Sequence, residues 1–254
     1  MFVPNQQTVA AVQFKPEMLD VENNIKTAQQ FIFESALKGA KLIVLPELCM
    51  SGYTLQSKHE AVLCSQGKHG YQTQMVQEAL ASFPDCHVVF GYVELDEGML
   101  YNAAACVSSR GLEGNVRKHN LFGSDNLWAN ASEQLFPVIQ TPAGRLGIII
   151  CRDIMNNYRA SYSRYNAEQK FYRKGAVDTI ALLTSWGSHF GYPDSAWVEL
   201  AEELDCNVIV ANRVGNERDM EFKGGSAVVD RKKKIWTYGS SFTEACVVGG
   251  VVLL

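Results

Sequence analysis

Three reactive side chains each stand just after an apolar run. Glu47 follows Leu42-Ile43-Val44-Leu45-Pro46, Lys118 ends a run that leaves the Arg110-Gly111 turn, and Cys151 follows Ile148-Ile149-Ile150. A carboxylate at a strand end is partly desolvated, which raises its pKa toward the range of a general base. A lysine in the same setting stabilises an anion. A thiol there is a nucleophile once its proton is taken. Each residue also has a plain reading taken singly: an exposed acid, a solvated lysine, an inert core cysteine. It is the combination, with gaps of 71 and 33 residues, that marks a site.

Other chemistries fit less well. A Cys-His hydrolase would pair Cys151 with His119 or His189. His119 adjoins Lys118, so on a strand the two side chains point to opposite faces. His189 lies in a Gly-flanked loop near Trp186. The histidines at 59, 69, 87, 119 and 189 show no i, i+4 pair, so no metal site is expected. Gly224-Gly225 and Gly249-Gly250 lack the following Lys-Ser/Thr of a phosphate-binding loop. Arg231-Lys232-Lys233-Lys234 reads as a solvated hairpin turn.

The elements that must position these residues alternate between strand and helix. Thr8–Phe14 and Leu42–Leu45 read as strands. Between them Val21, Ile25, Ala28, Ile32 and Ala36 mark one helical face, with Asp20 as N-cap and Gly39 as stop. A helix is predicted near Gln72–Ser82. Strands at Val88–Leu95 and Tyr101–Ser108 flank the turn Asp96-Glu97-Gly98, and a third strand reaches Lys118. Leu121–Ser132 reads as irregular. Leu135–Thr141 and Leu146–Cys151 read as strands about Pro142-Ala143-Gly144, followed by a helical stretch over Tyr158–Lys174. Strand, helix and strand follow at Thr179–Leu183, Pro193–Leu204 and Val208–Ala211. A hairpin of Gly225–Asp230 with Lys234–Tyr238 comes next, and the apolar run Ala245–Leu254 reads as a terminal strand pair or interface strand. No linker or repeat divides residues 1–254, so one α/β domain with mixed sheets is expected.

Composition bounds the function. The chain has 254 residues, 47% hydrophobic and 20% charged, with a net charge of −4. Those are globular values, and the weak acidic balance offers no field for nucleic acid or an anionic membrane. Seven cysteines, an odd number without a C-x-x-C pair, fit free thiols in a reducing cytosol rather than a disulfide framework. The N-terminus has no signal-peptide pattern. A cytoplasmic protein is expected.

Taken together, the motifs resemble those of the nitrilase superfamily of carbon–nitrogen hydrolases, along almost the whole chain. Pro46-Glu47 with Gly52-Tyr53 is similar to its P-E-x-x-x-x-G-Y segment. Lys118 with Leu121-Phe122 is similar to K-x-x-L-F, and Gly147, Ile150, Cys151 and Asp153 to G-x-x-I-C-x-D. Gly144-Arg145-Leu146-Gly147, Ser185-Trp186 and Ala211-Asn212 with Gly215 resemble further family segments. The resemblance implies a four-layer α-β-β-α sandwich, two central mixed β-sheets flanked by helices. It implies a Glu47-Lys118-Cys151 triad acting through a thioester, with an oxyanion held by Lys118 and the Arg152 backbone N–H. Asp125 and Glu133 are both candidates for a second acid. Tyr53, Trp186 and Asn212 are expected on the pocket wall.

The resemblance has departures. Ile154-Met155-Asn156-Asn157 replaces the usual F-P-E-like segment, and the stretch from Cys151 to Ser185 is long. Arg152-Asp153 is closer to the amidase and carbamoylase branches than to the C-W-E of nitrilases. The Arg152 side chain either binds a substrate carboxylate or pairs outward with a neighbouring acid. The implied activity is hydrolysis of a non-peptide C–N bond in a small linear amide, releasing ammonia or an amine. The alternatives are an N-carbamoyl amidohydrolase, a nitrilase on the same triad, or a non-catalytic scaffold. No cofactor and no metal are implied. The expected partner is a small amide or carbamoyl compound. A homodimer or higher homo-oligomer is expected, with Cys151–Lys174 and the apolar C-terminal run as its interface.

Overall fold

The computed structural model describes residues 5–154, 172–190, 194–232, 235–238 and 242–253. Two six-stranded sheets carry the fold. The first holds, in order, β14 (Ala245–Leu253), β1 (Asn5–Gln13), β2 (Leu42–Val44), β3 (His87–Asp96), β4 (Met99–Ser108) and β5 (Gly111–Arg117). The second holds β13 (Ile235–Tyr238), β12 (Ala227–Val229), β9 (Asn207–Ala211), β8 (Thr179–Leu183), β7 (Gly144–Ile150) and β6 (Ile139–Thr141). Strands β1, β2 and β3 run parallel, as do β7, β8 and β9, and the outer pairs are antiparallel.

Alternation along the strands builds the layers. Val9 and Ala11 of β1 and Leu42 and Val44 of β2 pack with Ile148, Ile150, Ala181 and Leu183 of the second sheet. The intervening Ala10, Val12 and Ile43 face helices α1 (Val21–Leu37) and α3 (Tyr71–Ala79). On the far side Ile149, Ile180, Leu182 and Val208 pack on Trp197, Leu200 and Leu204 of helix α5 (Asp194–Leu204). Side chains on successive residues point to opposite faces, and both faces are covered. The central strands therefore read as unbroken apolar runs, and the fold is an α-β-β-α sandwich.

Local signals explain the borders. Asp20 caps α1 by accepting from Asn23 N at 3.1 Å, and Gly39 sits at φ +87° just past its end. Four segments differ from the sequence reading. Helix α2 (Lys58–Cys64), capped by Ser57, has no counterpart there; its apolar residues Ala61-Val62-Leu63-Cys64 are consecutive and show no helical spacing. The stretch read as irregular contains a one-turn helix, α4 (Asp125–Trp128). The strand expected from Leu135 begins at Ile139, beyond Pro137, which cannot donate to a ladder. The C-terminal run is one strand rather than a pair: β14 continues through Gly249 and Gly250 along β1. A Cβ on Gly249 would lie 2.8 Å from Val228 Cβ, so that glycine serves the close approach of the sheets rather than a turn. Residues 158–171 of the helix expected over Tyr158–Lys174, and with them most of the expected interface, fall outside the described residues; residues 172–174 are not helical. No helix among the described residues is long and apolar enough to cross a membrane.

Candidate active site

The candidate residues sit where strands of both sheets end. Pro46 stops β2 and leaves Glu47 fully buried at its exit. The next residue, Leu48, turns sharply at φ +48°. This turn lies directly on β3 at Gly91, whose N donates to Pro46 O at 3.2 Å. A Cβ at position 91 would fall 2.8 Å from Glu47 Cα. Lys118 follows β5, fully buried, and is held to β4 by its N–H to Asn102 O at 2.8 Å. Cys151 follows β7 at φ +42°. For a residue with a side chain this left-handed conformation is strained, and such strain clusters at active sites. Ser185, after β8, ties the sheets together by donating from Oγ to Glu47 O at 3.1 Å.

The side chains converge. Lys118 Nζ lies 2.6 Å from Glu47 Oε1 and 2.6 Å from Asp125 Oδ2. Asn102 Nδ2 donates to Glu47 Oε1 at 2.9 Å and to Asp125 Oδ1 at 3.1 Å. The second oxygen of Glu47, Oε2, is buried and accepts no hydrogen bond among the described residues. Burial raises the Glu47 pKa, although Lys118 opposes the rise. For Lys118 burial works the other way, and the Glu47 and Asp125 carboxylates outweigh it, holding the ammonium charged. Burial first and the Glu47 charge second raise the Cys151 pKa, while Lys118 and a backbone hydrogen bond at Ser185 oppose them. The thiol therefore rests protonated beside a carboxylate with acceptor capacity to spare.

A small pocket of about 60 Å³ opens over Cys151, lined by Tyr53, Phe122, Arg152, Ser185, Trp186 and Met220. Tyr53 and Trp186 are thus among its lining residues. Asn212 does not line the pocket. Its Oδ1 accepts from Trp186 N at 2.8 Å and its Nδ2 donates to Gly224 O at 2.7 Å, so it braces the wall from behind. Of the two candidates for a second acid, Asp125 is in the cluster, and Glu133 is exposed in the stretch after α4, away from it. The Arg152 side chain is exposed and stacks over the Phe122 ring at 4.7 Å, with no ion pair to an acid among the described residues. His119 stacks on Phe136, and neither it nor His189 lines the pocket. No group of three or more metal-ligating side chains occurs among the described residues.

Sequence reasoning passes over Asn102 and Met220, and it names Asp153 only as part of the motif around Cys151, without a role. Asn102 is the lone amide in the apolar run of β4, and that oddity is the available signal. Met220 comes from a separate hairpin, β10 (Val214–Glu217) and β11 (Met220–Lys223). Asp153, fully buried, accepts from Asn120 N at 2.7 Å, from Asn120 Nδ2 at 2.9 Å and from His119 N at 3.2 Å. It thereby fastens the Cys151 turn to the segment just beyond Lys118. Burial pushes its pKa up to about 7 against those donors and the Lys118 charge.

A sandwich of this kind with base, cation and thiol at its strand ends defines a class of hydrolase. Comparison with known proteins agrees: the Carbon-nitrogen hydrolase family matches residues 8–252, and the chain belongs to it. It is 29% identical over 245 residues to a nitrilase of Pyrococcus abyssi, covering 96% of this chain and 89% of that protein. It is 25% identical to a glutamine-dependent NAD(+) synthetase of Acinetobacter baylyi, spanning 93% of this chain but 42% of the synthetase. Among solved structures, XC1258 of Xanthomonas campestris, a CN-hydrolase superfamily protein, superposes with a TM-score of 0.81 at 18% identity, covering 97% of this chain and 90% of that one. An amidase from Nesterenkonia sp. superposes at 0.79 and 16%, with the same coverage. These two share the fold.

Proposed function

We propose that the protein hydrolyses small linear amides with Cys151 as nucleophile, Glu47 as general base and acid, and Lys118 as the oxyanion's cation. One observation carries this reading: a buried Lys118 ammonium is shared by two carboxylates, one of which keeps a free oxygen in reach of a strained, pocket-lining thiol. Glu47 takes the S–H proton as the sulfur–carbon bond forms. The negative oxygen that results is held by Lys118 Nζ and the Arg152 backbone N–H. Glu47 then passes the proton to the leaving nitrogen, the C–N bond breaks, and ammonia or an amine departs. Water, deprotonated by Glu47, cleaves the thioester and releases a carboxylic acid. The proton on Glu47 returns to the sulfur. Asp125 neither gives nor takes a proton here; it keeps Lys118 charged and placed.

A pocket of about 60 Å³ fits a small acyl group. A second reading, nitrile hydrolysis by the same thiol, is favoured by the name of the Pyrococcus abyssi relative. Ammonia release from paired short amides and nitriles separates the two. The amide is expected to be the better substrate, and nitrile turnover alone would overturn the first reading. Because the Glu47 pKa is raised and the base must be ionised, kcat/KM is expected to fall with decreasing pH already above the ordinary carboxylate range.

A further inference from the structure

Among the described residues six of the eight arginines are committed. Arg110, Arg117, Arg145, Arg213, Arg218 and Arg231 each meet a carboxylate. Of the other two, Arg152 and Arg173, neither pairs with an acid among the described residues, and Arg152 is the one cationic residue that lines the pocket. Its guanidinium lies over the Phe122 ring at 4.7 Å. That ring is itself anchored, since Phe122 N donates to Asp125 Oδ2 at 3.1 Å. A cation held over a ring spends no carboxylate-type hydrogen bond there, and the guanidinium's N–H donors form the fork that matches a carboxylate. The other lining side chains, Tyr53, Phe122, Ser185, Trp186 and Met220, bring no positive charge. Beneath them two acids share one lysine, so an anionic substrate needs a cation at the mouth to offset that excess.

We infer that Arg152 binds a carboxylate on the substrate, so that the pocket selects short amides carrying an acid at their far end over neutral amides of the same shape. This rests on the amidase reading for its chemistry, but it concerns binding and is tested without turnover. In a Cys151→Ala background, dissociation constants are measured by NMR titration for succinamate and for levulinamide, in which a methyl ketone replaces the carboxylate. Succinamate is expected to bind at least about tenfold tighter, the scale of one charge-assisted contact. Adding Arg152→Met is expected to bring the ratio close to one, and Arg152→Lys to leave part of it. A melting curve for each variant establishes that it is folded. Equal affinities in the Cys151→Ala protein, a ratio that survives Arg152→Met, or no binding of succinamate would each overturn the inference. So would equal weakening of both ligands by Arg152→Met, which is what Arg152 would give if it only shaped the wall through its contact with Phe122. Ammonia release by the unmodified protein is read separately. Binding of succinamate without hydrolysis of either amide would sink the amidase reading and leave this one standing.

Discussion

Tyr53 stands between two buried charge clusters that differ in what their acids are asked to do. On its ring side, 6.0 Å away, lies Lys118 with Glu47 and Asp125. On its backbone side Glu217 Oε1 accepts from Tyr53 N at 2.8 Å and from Thr54 N at 2.6 Å. Glu217 Oε2 pairs with Arg213 at 2.6 Å, and Arg213 stacks over Phe222 at 4.4 Å. The Glu217 cluster is balanced, one acid to one base, and its acid is spent on backbone N–H groups that shape the Tyr53 loop. The Glu47 cluster has two acids to one base and keeps Glu47 Oε2 uncommitted beside a thiol. Burial of charge is common to both. Both acids keep one oxygen without a hydrogen bond among the described residues; that of Glu217 faces its cation, whereas that of Glu47 is not the oxygen Lys118 holds, and the Glu47 cluster has a thiol beside it.

Substitutions can break this contrast. The largest effect is expected at the reactive cluster itself. Cys151→Ala should reduce amide hydrolysis to background, and Glu47→Gln should cost about 10²–10⁴-fold. Both should melt within a few degrees of the parent, and full turnover in Cys151→Ala would end the assignment. Lys118→Met removes the cation that two buried carboxylates share. It should lose about 3–5 kcal/mol of stability in a denaturant titration, as well as activity. An unchanged midpoint would mean that the acids are neutral and the cluster is not ionic. Glu217→Gln keeps an oxygen for Tyr53 N and Thr54 N but strips Arg213 of its charge partner. A loss of about 2–3 kcal/mol is expected, with KM rising more than kcat falls. A kcat collapse as deep as that of Glu47→Gln would erase the distinction between the clusters.

The smallest effect is a slope. Asp153 has its pKa pushed up from 3.8 to about 7. Between those values the folded state keeps a proton that the unfolded chain releases. The stabilising contribution is whole below about pH 4 and is lost as the pH rises through 7. The melting temperature of the parent relative to Asp153→Asn should therefore fall between pH 4 and 7. A flat difference would show that the buried carboxylate is not raised.

Much of this architecture is legible in the amino-acid sequence. The apolar runs of β1, β2, β7, β8 and β9 announce strands covered on both faces, and α1 carries its own start and stop signals. Glu47, Lys118 and Cys151 stand out by their place at the ends of such runs. The hairpin β10–β11 does not, because Val-Gly-Asn-Glu and Met-Glu-Phe-Lys form no apolar stripe. Its place depends on Glu217 bonding a loop some 160 residues earlier in the chain. The same limit misplaces Asn212. A polar residue at a strand end reads equally as a ligand or a brace, and only its neighbours Trp186 and Gly224 decide. Glu133 and Asp125 look alike in sequence, and α4 turns just one of them inward.

Gly91 carries a consequence for variation. It has no functional group, takes part in no chemistry and sits in mid-strand, where almost any small residue would seem interchangeable. Yet the turn bearing Glu47 rests on it with no room for a methyl group. In a saturation library scored for turnover, this position would be expected to sort with the nucleophile and the base, though nothing bound in the pocket ever touches it. A chain drifting under mutation can exchange the groups that greet a substrate and acquire a new one. It has far less freedom at the floor beneath its own carboxylate.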